Sequence, residues 1–184
     1  FDEGYENGYT NKILDVLKKY DAKATFFVVG KHANWYSKPL IEASKEGHEI
    51  GNHTFSHPDI SNLSSDDIKK EIKECEDALI KLTGKKPTLF RPPYGSYGKD
   101  QLGEIAKECG YKIILWTSID AKDWKNPPSA QISNTIINKV QNGDIILLHD
   151  YGTENTVQAL DVIIPTLTKE GYKFVTVSEL IGEN

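Results

Sequence analysis

Apolar positions along this chain fall into short continuous runs and 3.6-residue stripes that alternate from one end to the other. Residues 23–29 (KATFFVV) form a β-branched and aromatic run ending at Gly30, as a buried strand does. A shorter run at 48–53 (HEIGNH) follows a helical pattern at 39–46 that Gly47 stops. Ser64, Ser65, Asp66 and Asp67 make a helix start, and Ile68, Ile72, Cys75, Leu79 and Leu82 continue it as one stripe to Gly84. Further strands are expected at 88–90, 112–117 (KIILWT), 144–148 (DIILL) and 173–177 (KFVTV). Helical patterns at 99–109, 129–140 and 156–169 separate them. Repeated βα units with near-continuous apolar strands predict an α/β fold whose parallel sheet closes or curls into a barrel. Neither a linker nor an internal repeat interrupts the pattern, so 1–184 is expected to be one domain.

Such barrels gather their chemistry at the carboxyl ends of the strands. The unusual polar residues of this chain sit at those ends. Asp2 and Glu3 end the first segment, and His53 and His57 follow the 48–53 run. Arg91 follows Phe90, Asp120 and Asp123 follow the KIILWT run, and His149 follows DIILL. Titratable residues at five separate strand ends point to one shared active site.

Composition removes several function classes. A formal net charge of −5, with lysines scattered rather than clustered, argues against a nucleic-acid partner. No apolar run is long enough to span a bilayer. Cys75 and Cys109 both fall in helical patterns and leave the redox compartment open. No signal peptide is visible, and residues 1–4 (FDEG) read as the end of a buried strand whose earlier residues are absent.

His53 and His57, four residues apart, can aim two imidazoles at one point from a helical turn or from a loop that doubles back. Zinc and related metals take imidazole nitrogen with a carboxylate, and a catalytic site leaves one position for water. Glu3 offers the carboxylate, and Asp2 offers a second one suited to act as a base. Arg91 is the one arginine among 22 basic residues, which suggests a place for a planar fork gripping a carboxylate, with Asp2 as its partner; an exposed arginine is the bland alternative. Pro92 and Pro93 stiffen the next loop and would hold the Tyr94 N–H as an oxyanion donor. An acid from the Asp120–Asp123 pair can orient and charge His149 as a general acid, although a histidine at a strand end is often structural. Trp124 and Leu147 would form an apolar slot for a methyl group, or be ordinary core. His32 lies near Trp35 and Tyr36, and His48 is expected to pack beside its strand. Asp59 and the acids at 66, 67, 76 and 77 read as loop and solvated helix faces. Tyr5, Tyr9, Trp35, Tyr36, Tyr94 and Tyr97 read mostly as loop aromatics that suit stacking on sugar rings.

Taken in order, these motifs resemble the polysaccharide deacetylase family (carbohydrate esterase family 4, the NodB-homology domain). Residues 1–4 resemble its TFDDG, 53–57 (HTFSH) its H(S/T)xxH, and 91–94 its RPPY. Residues 120–124 (DAKDW) resemble DxxDW, and 147–149 (LLH) the closing LxH. The resemblance implies a distorted (β/α)7 barrel, with most of its first strand absent from this chain, and metal-dependent deacetylation of carbohydrate. It implies Asp2 as general base, and Glu3, His53 and His57 as ligands of a divalent metal, Zn²⁺ first, with Co²⁺, Ni²⁺ or Mn²⁺ as alternatives. Arg91 would position Asp2, the Tyr94 amide bind the oxyanion, Asp123 tune His149, and His149 protonate the leaving amine. Trp124 and Leu147 would cradle the acetyl methyl, while a metal-activated water attacks the carbonyl.

Glu3 departs from the family's Asp, which implies a changed metal preference or a weaker site. A chain extended by about six to eight strand residues before Phe1 is expected to bind metal more tightly. Residues 4–10 (GYENGYT) resemble the subgroup that de-N-acetylates muramic acid in spore cortex, although that subgroup usually has Asn at position 3 and Arg at position 94. The expected substrate is peptidoglycan, met outside the cell or in the wall by a monomeric enzyme. Chitin oligomers, acetylxylan and a non-catalytic glycan-binding role are the alternatives.

Overall fold

The computed structural model describes residues 1–3, 9–33, 35, 37–97, 101–117, 119–151 and 153–182. The GYENGYT stretch up to Gly8, with Tyr5, and also Tyr36 and Lys99, lie outside the described residues.

Among the described residues, five strands form one parallel sheet in chain order: β1 (Asp2–Glu3), β2 (Thr25–Val28), β3 (Glu49–Asn52), β4 (Leu89–Phe90) and β5 (Lys112–Ile113). Asp2 pairs with Phe27, Phe27 with Gly51, Asn52 with Phe90, and Phe90 with Ile113. Beyond β5 the Thr117 N–H donates to Ile145 O at 3.0 Å, and parallel bridges join Asp120 to Leu147 and Asp2 to His149. The 145–149 run therefore lies between the extension of β5 and β1, and the sheet closes on itself. Of the expected strands at 112–117 and 144–148, the first keeps only β5 and the second one bridge, at Leu147, because closing the ring bends the backbone out of a continuous ladder.

The run at 173–177 is not a strand. Its Phe174 O accepts the Lys23 N–H at 3.0 Å, but Thr176 caps a short helix, α8 (Val177–Leu180), by accepting the Glu179 N–H. A helix cap here overrides the β-branched pattern.

Seven other helices cover the sheet: α1 (Tyr9–Lys19), α2 (Gly30–Ala33), α3 (Ser37–Lys45), α4 (Ser65–Thr83), α5 (Leu102–Glu108), α6 (Ser129–Ile137) and α7 (Glu154–Lys169) among the described residues. In α4 the Ser64 side chain accepts the Asp67 N–H, and Gly84 ends the helix in the left-handed region at φ 70°. Its buried stripe is Ile68, Ile72, Cys75 and Leu79. Glu76 is a correction to the solvated face expected there: it is buried, accepting from Tyr111 Oη at 2.9 Å and pairing with Lys73 and Lys86 at 2.7 and 3.0 Å. Tyr9 begins α1 rather than lying in a loop. Cys75 and Cys109 are both reduced thiols and form no bond to each other.

The main core lies between the helices and the outer face of the sheet, around Phe26, Val28, Leu40, Leu79 and Leu160. Inside the ring, Phe27, Leu89, Ile114 and Val177 pack together. Gly51 makes this possible, because a Cβ there would sit 2.5 Å from the Phe27 ring.

Candidate active site

The strand ends bring the sequence-derived residues to one end of the ring. Arg91, leaving β4, is 1% exposed and stands over the Phe27 ring at 4.1 Å. Its Nη1 donates to Asp2 Oδ1 at 2.6 Å, while Nε and Nη2 donate to Ile114 O and Leu115 O at 3.2 and 3.3 Å. The guanidinium is thereby fixed at three points, which an ammonium on a flexible stem cannot reproduce. Burial alone pushes the Asp2 carboxyl up, but Arg91, then His53, outweigh it and hold it below its ordinary 3.8.

His53 Nδ1 lies 2.7 Å from Arg91 O. A carbonyl only accepts, so Nδ1 carries the proton and Nε2 keeps a free lone pair, as a metal-ligating histidine requires. That Nε2 faces Asp2 Oδ2 at 3.8 Å, and His57 Nε2 faces Glu3 Oε1 at 3.7 Å. The two imidazole centroids are 4.9 Å apart. Burial pushes His53 down to about 4 and lowers His57, so both rings are neutral near pH 7. Glu3 moves the other way: burial raises its carboxyl to about 7, with Asp2 and Asp150 adding to the rise and His149 opposing it. Among the described residues no three such donors stand together at metal-holding distances. The pairs are too long for hydrogen bonds. Neutral imidazole lone pairs set against carboxylates are nevertheless the donor chemistry that a small divalent cation takes, so the residues fit one.

Beside Asp2 at the closing seam, Asp123 Oδ1 lies 2.8 Å from His149 Nδ1. Asp123 Oδ2 accepts from the His149 N–H at 2.9 Å and from Thr156 Oγ1 at 3.0 Å. Burial alone would lower the His149 pKa, but Asp123 outweighs it and raises the pKa above 6.5. Of the two acids in the DxxDW segment, Asp123 is the one that meets His149. Asp120 instead caps its own turn, accepting the Lys122 N–H at 2.8 Å.

Tyr94 sits in a one-turn 3₁₀ segment at φ 59°, 69% exposed, with its ring 4.8 Å from that of His57. Trp124 is 47% exposed beside Asp123, whereas Leu147 is buried and bridged to Asp120. His32 and Trp35 face each other, and His48 is buried at the far end of β3, accepting the Ala24 N–H at 3.3 Å. An apolar cavity walled by Phe1, Thr25, Ile146 and Phe174 lies toward the strand starts and shares Arg91 with the site.

Non-glycine residues with left-handed φ cost about 1 kcal/mol each and collect at functional sites. Glu3, Thr54, His57, Tyr94 and Lys122, five of the seven among the described residues, lie in the site segments. Sequence reading passed over Asn52, Glu71, Asp150 and Thr156, which hold these segments. Thr156 supports Asp123; Asp150, buried beside His149, accepts from Thr10 Oγ1 at 2.8 Å. Asp150 directly follows the LLH motif, which is the one signal that marks it.

A family profile described as "Polysaccharide deacetylase" matches residues 1–114. The chain is 44% identical to a peptidoglycan-N-acetylglucosamine deacetylase of Bacillus cereus, over 98% of this chain and 85% of that protein. It is 40% identical to the peptidoglycan-N-acetylmuramic acid deacetylase PdaA of Bacillus subtilis, over 100% of this chain and 70% of that protein. Among solved structures, peptidoglycan deacetylase PdaC of Bacillus subtilis superposes with a TM-score of 0.90 at 40% identity, covering 100% of this chain and 88% of that one. A Bacillus anthracis protein described as a CE4 family pseudoenzyme superposes with a TM-score of 0.92 at 33% identity, covering 100% of this chain and 64% of that one.

Proposed function

Because the chain belongs to the polysaccharide deacetylase family (CE4), whose solved members carry a distorted (β/α)7 barrel, we propose that residues 1–184 act as one domain removing N-acetyl groups from peptidoglycan. The observation that carries this reading is the meeting of two assemblies at one barrel mouth: Asp2 gripped by Arg91, and His149, bridged to Asp2 along the seam, gripped by Asp123.

The family is generally metal-dependent, and Glu3, His53 and His57 are the residues that would hold a divalent cation, with Zn²⁺ first among Co²⁺, Ni²⁺ and Mn²⁺. When bound, such a cation polarises an acetyl carbonyl and makes a neighbouring water more acidic. Asp2 stays ionised across the working pH range and takes the proton from the attacking water. Arg91 keeps its Oδ1 occupied, so Oδ2 is the oxygen that accepts. The Tyr94 N–H donates to the oxyanion that develops on the carbonyl. His149, charged because Asp123 raises its pKa, gives a proton to the leaving nitrogen as the C–N bond breaks. Acetate and a free amine result. Trp124 and Leu147 shape the space for the acetyl methyl. We read the protein as a monomer that meets peptidoglycan outside the cell or in the wall.

The relatives' names include both N-acetylglucosamine and N-acetylmuramic acid deacetylases. Acetate release is measured from peptidoglycan, chitin oligomers and acetylxylan, after chelation and with each metal restored. Metal-restored release from peptidoglycan is expected, with His149→Ala and Asp2→Asn inactive. Activity surviving both substitutions overturns the assigned roles. A second reading, a glycan-binding domain without catalysis, draws on Glu3 in place of Asp and on the pseudoenzyme with the same fold. Glycan binding without acetate release under every metal favours it.

A further inference from the structure

The 53–57 loop turns back sharply, with Thr54 at φ 68° and His57 at φ 60°, so its shape is not one its own backbone prefers. Each of its N–H groups has a partner. His53 N donates to Val28 O at 3.1 Å, Thr54 N to Asn52 Oδ1 at 3.0 Å and His57 N to Thr54 Oγ1 at 3.1 Å. The two at the tip, Phe55 N and Ser56 N, both donate to one oxygen of Glu71, at 2.9 and 2.7 Å. The second Glu71 oxygen accepts from Ser56 Oγ at 2.7 Å. One residue further along α4, Ile72 O accepts from Asn52 Nδ2 at 2.9 Å, at the base of the same loop. The helix thus grips the loop at its root through a buried amide and at its tip through a carboxylate.

We propose that Glu71 is a positioning residue for the metal-binding loop, setting the spacing of His53 and His57 while touching neither ring. The inference rests on the reading of those histidines as metal ligands. Glu71 lies at the partly exposed tip, where water can replace a lost acceptor. Removing it therefore costs loop geometry more than it costs folding. The root grip on Asn52 remains, as do the bonds from Gly30 N to Thr54 O and Lys31 N to Phe55 O at 3.0 and 2.8 Å, so the loop stays attached while its Ser56–His57 end loses its anchor.

The test is Zn²⁺ affinity of the full chain, by competition with a chromophoric chelator, alongside thermal unfolding of the metal-free protein. Glu71→Ala is expected to weaken Zn²⁺ binding about tenfold, the scale typical of groups that orient metal ligands, while the metal-free melting temperature moves by only a few degrees. Glu71→Gln, whose amide oxygen still accepts both N–H groups, is expected to stay within about threefold of wild type. His57→Ala serves as the control and is expected to abolish binding. If His57→Ala abolishes binding and Glu71→Ala binds within about twofold of wild type, the positioning role is overturned while the ligand reading stands. Wild-type protein that takes up no Zn²⁺ overturns the ligand reading, and the role of Glu71 with it. Should Glu71→Ala fail to fold, Glu71→Asp carries the same test: its shorter reach is expected to weaken binding, and unchanged affinity overturns the proposal.

Discussion

Arg91 and Asp2, 89 residues apart in the chain, meet at 2.6 Å with both side chains buried. The pair spans the ring from β4 to β1, and two further guanidinium N–H groups donate to Ile114 O and Leu115 O. Breaking a buried pair by removing one partner costs about 3–5 kcal/mol, because the other charge is left unpaired. Arg91→Ala is expected to destabilise on that scale in urea unfolding. Arg91→Lys keeps the charge but loses the fork, so kcat should fall by more than KM rises.

His149 gains its proton affinity from Asp123, and the sign follows from the protonated form being the useful one. The same contact contributes stability that is fully present below pH 6.5 and is lost as pH rises through the raised folded pKa. Asp123→Asn removes the charge while keeping a side-chain oxygen. The alkaline limb of kcat/KM is expected to move to lower pH in that variant. An unmoved limb would show that a different group sets it.

Glu3, the proposed metal ligand, carries a folding cost. Its folded pKa of about 7 lies above the ordinary 4.5, so the metal-free fold pays for ionising it. That penalty is absent at pH 4, grows between pH 4.5 and 7, and levels off above, at about 2 kcal/mol after allowance for partial exposure. Glu3→Gln should therefore stabilise the metal-free protein at pH 8 and not at pH 4, while weakening Zn²⁺ binding about tenfold. Parallel melting curves and metal titrations check both halves.

Glu76 and Asp77 are neighbours on α4 with opposite surroundings. Glu76 is enclosed by Tyr111, Lys73 and Lys86, and its loss leaves the buried Tyr111 hydroxyl without its acceptor. Glu76→Ala is expected to cost about 2 kcal/mol of stability. Asp77 is exposed and meets Lys73 alone among the described residues, so Asp77→Ala should change stability by less than about 0.5 kcal/mol. Urea unfolding of the two variants distinguishes them directly.

Sequence by itself determined the order of βα units, the α4 helix with its Ser64 start and Gly84 stop, and the residues placed at the strand ends. These are local properties: a period of apolar positions, a cap, a titratable residue just past an apolar run. Tertiary structure decided what depends on contacts across the chain. It set Asp123 against His149 at the closed seam and left Asp120 to cap its own turn, a choice that the residue types left open and only the family resemblance had assigned. It buried Glu76 in a helix face that reads as solvated, because Tyr111 arrives there from 35 residues away. It shortened the 112–117 run to β5, left the 144–148 run a single bridge where the ring closes, and made the 173–177 run the approach to a helix cap. Glu71 looks in sequence like any other acid on a charged helix. Its hold on the loop tip follows from α4 packing beside the histidine loop, a relationship that no local pattern carries.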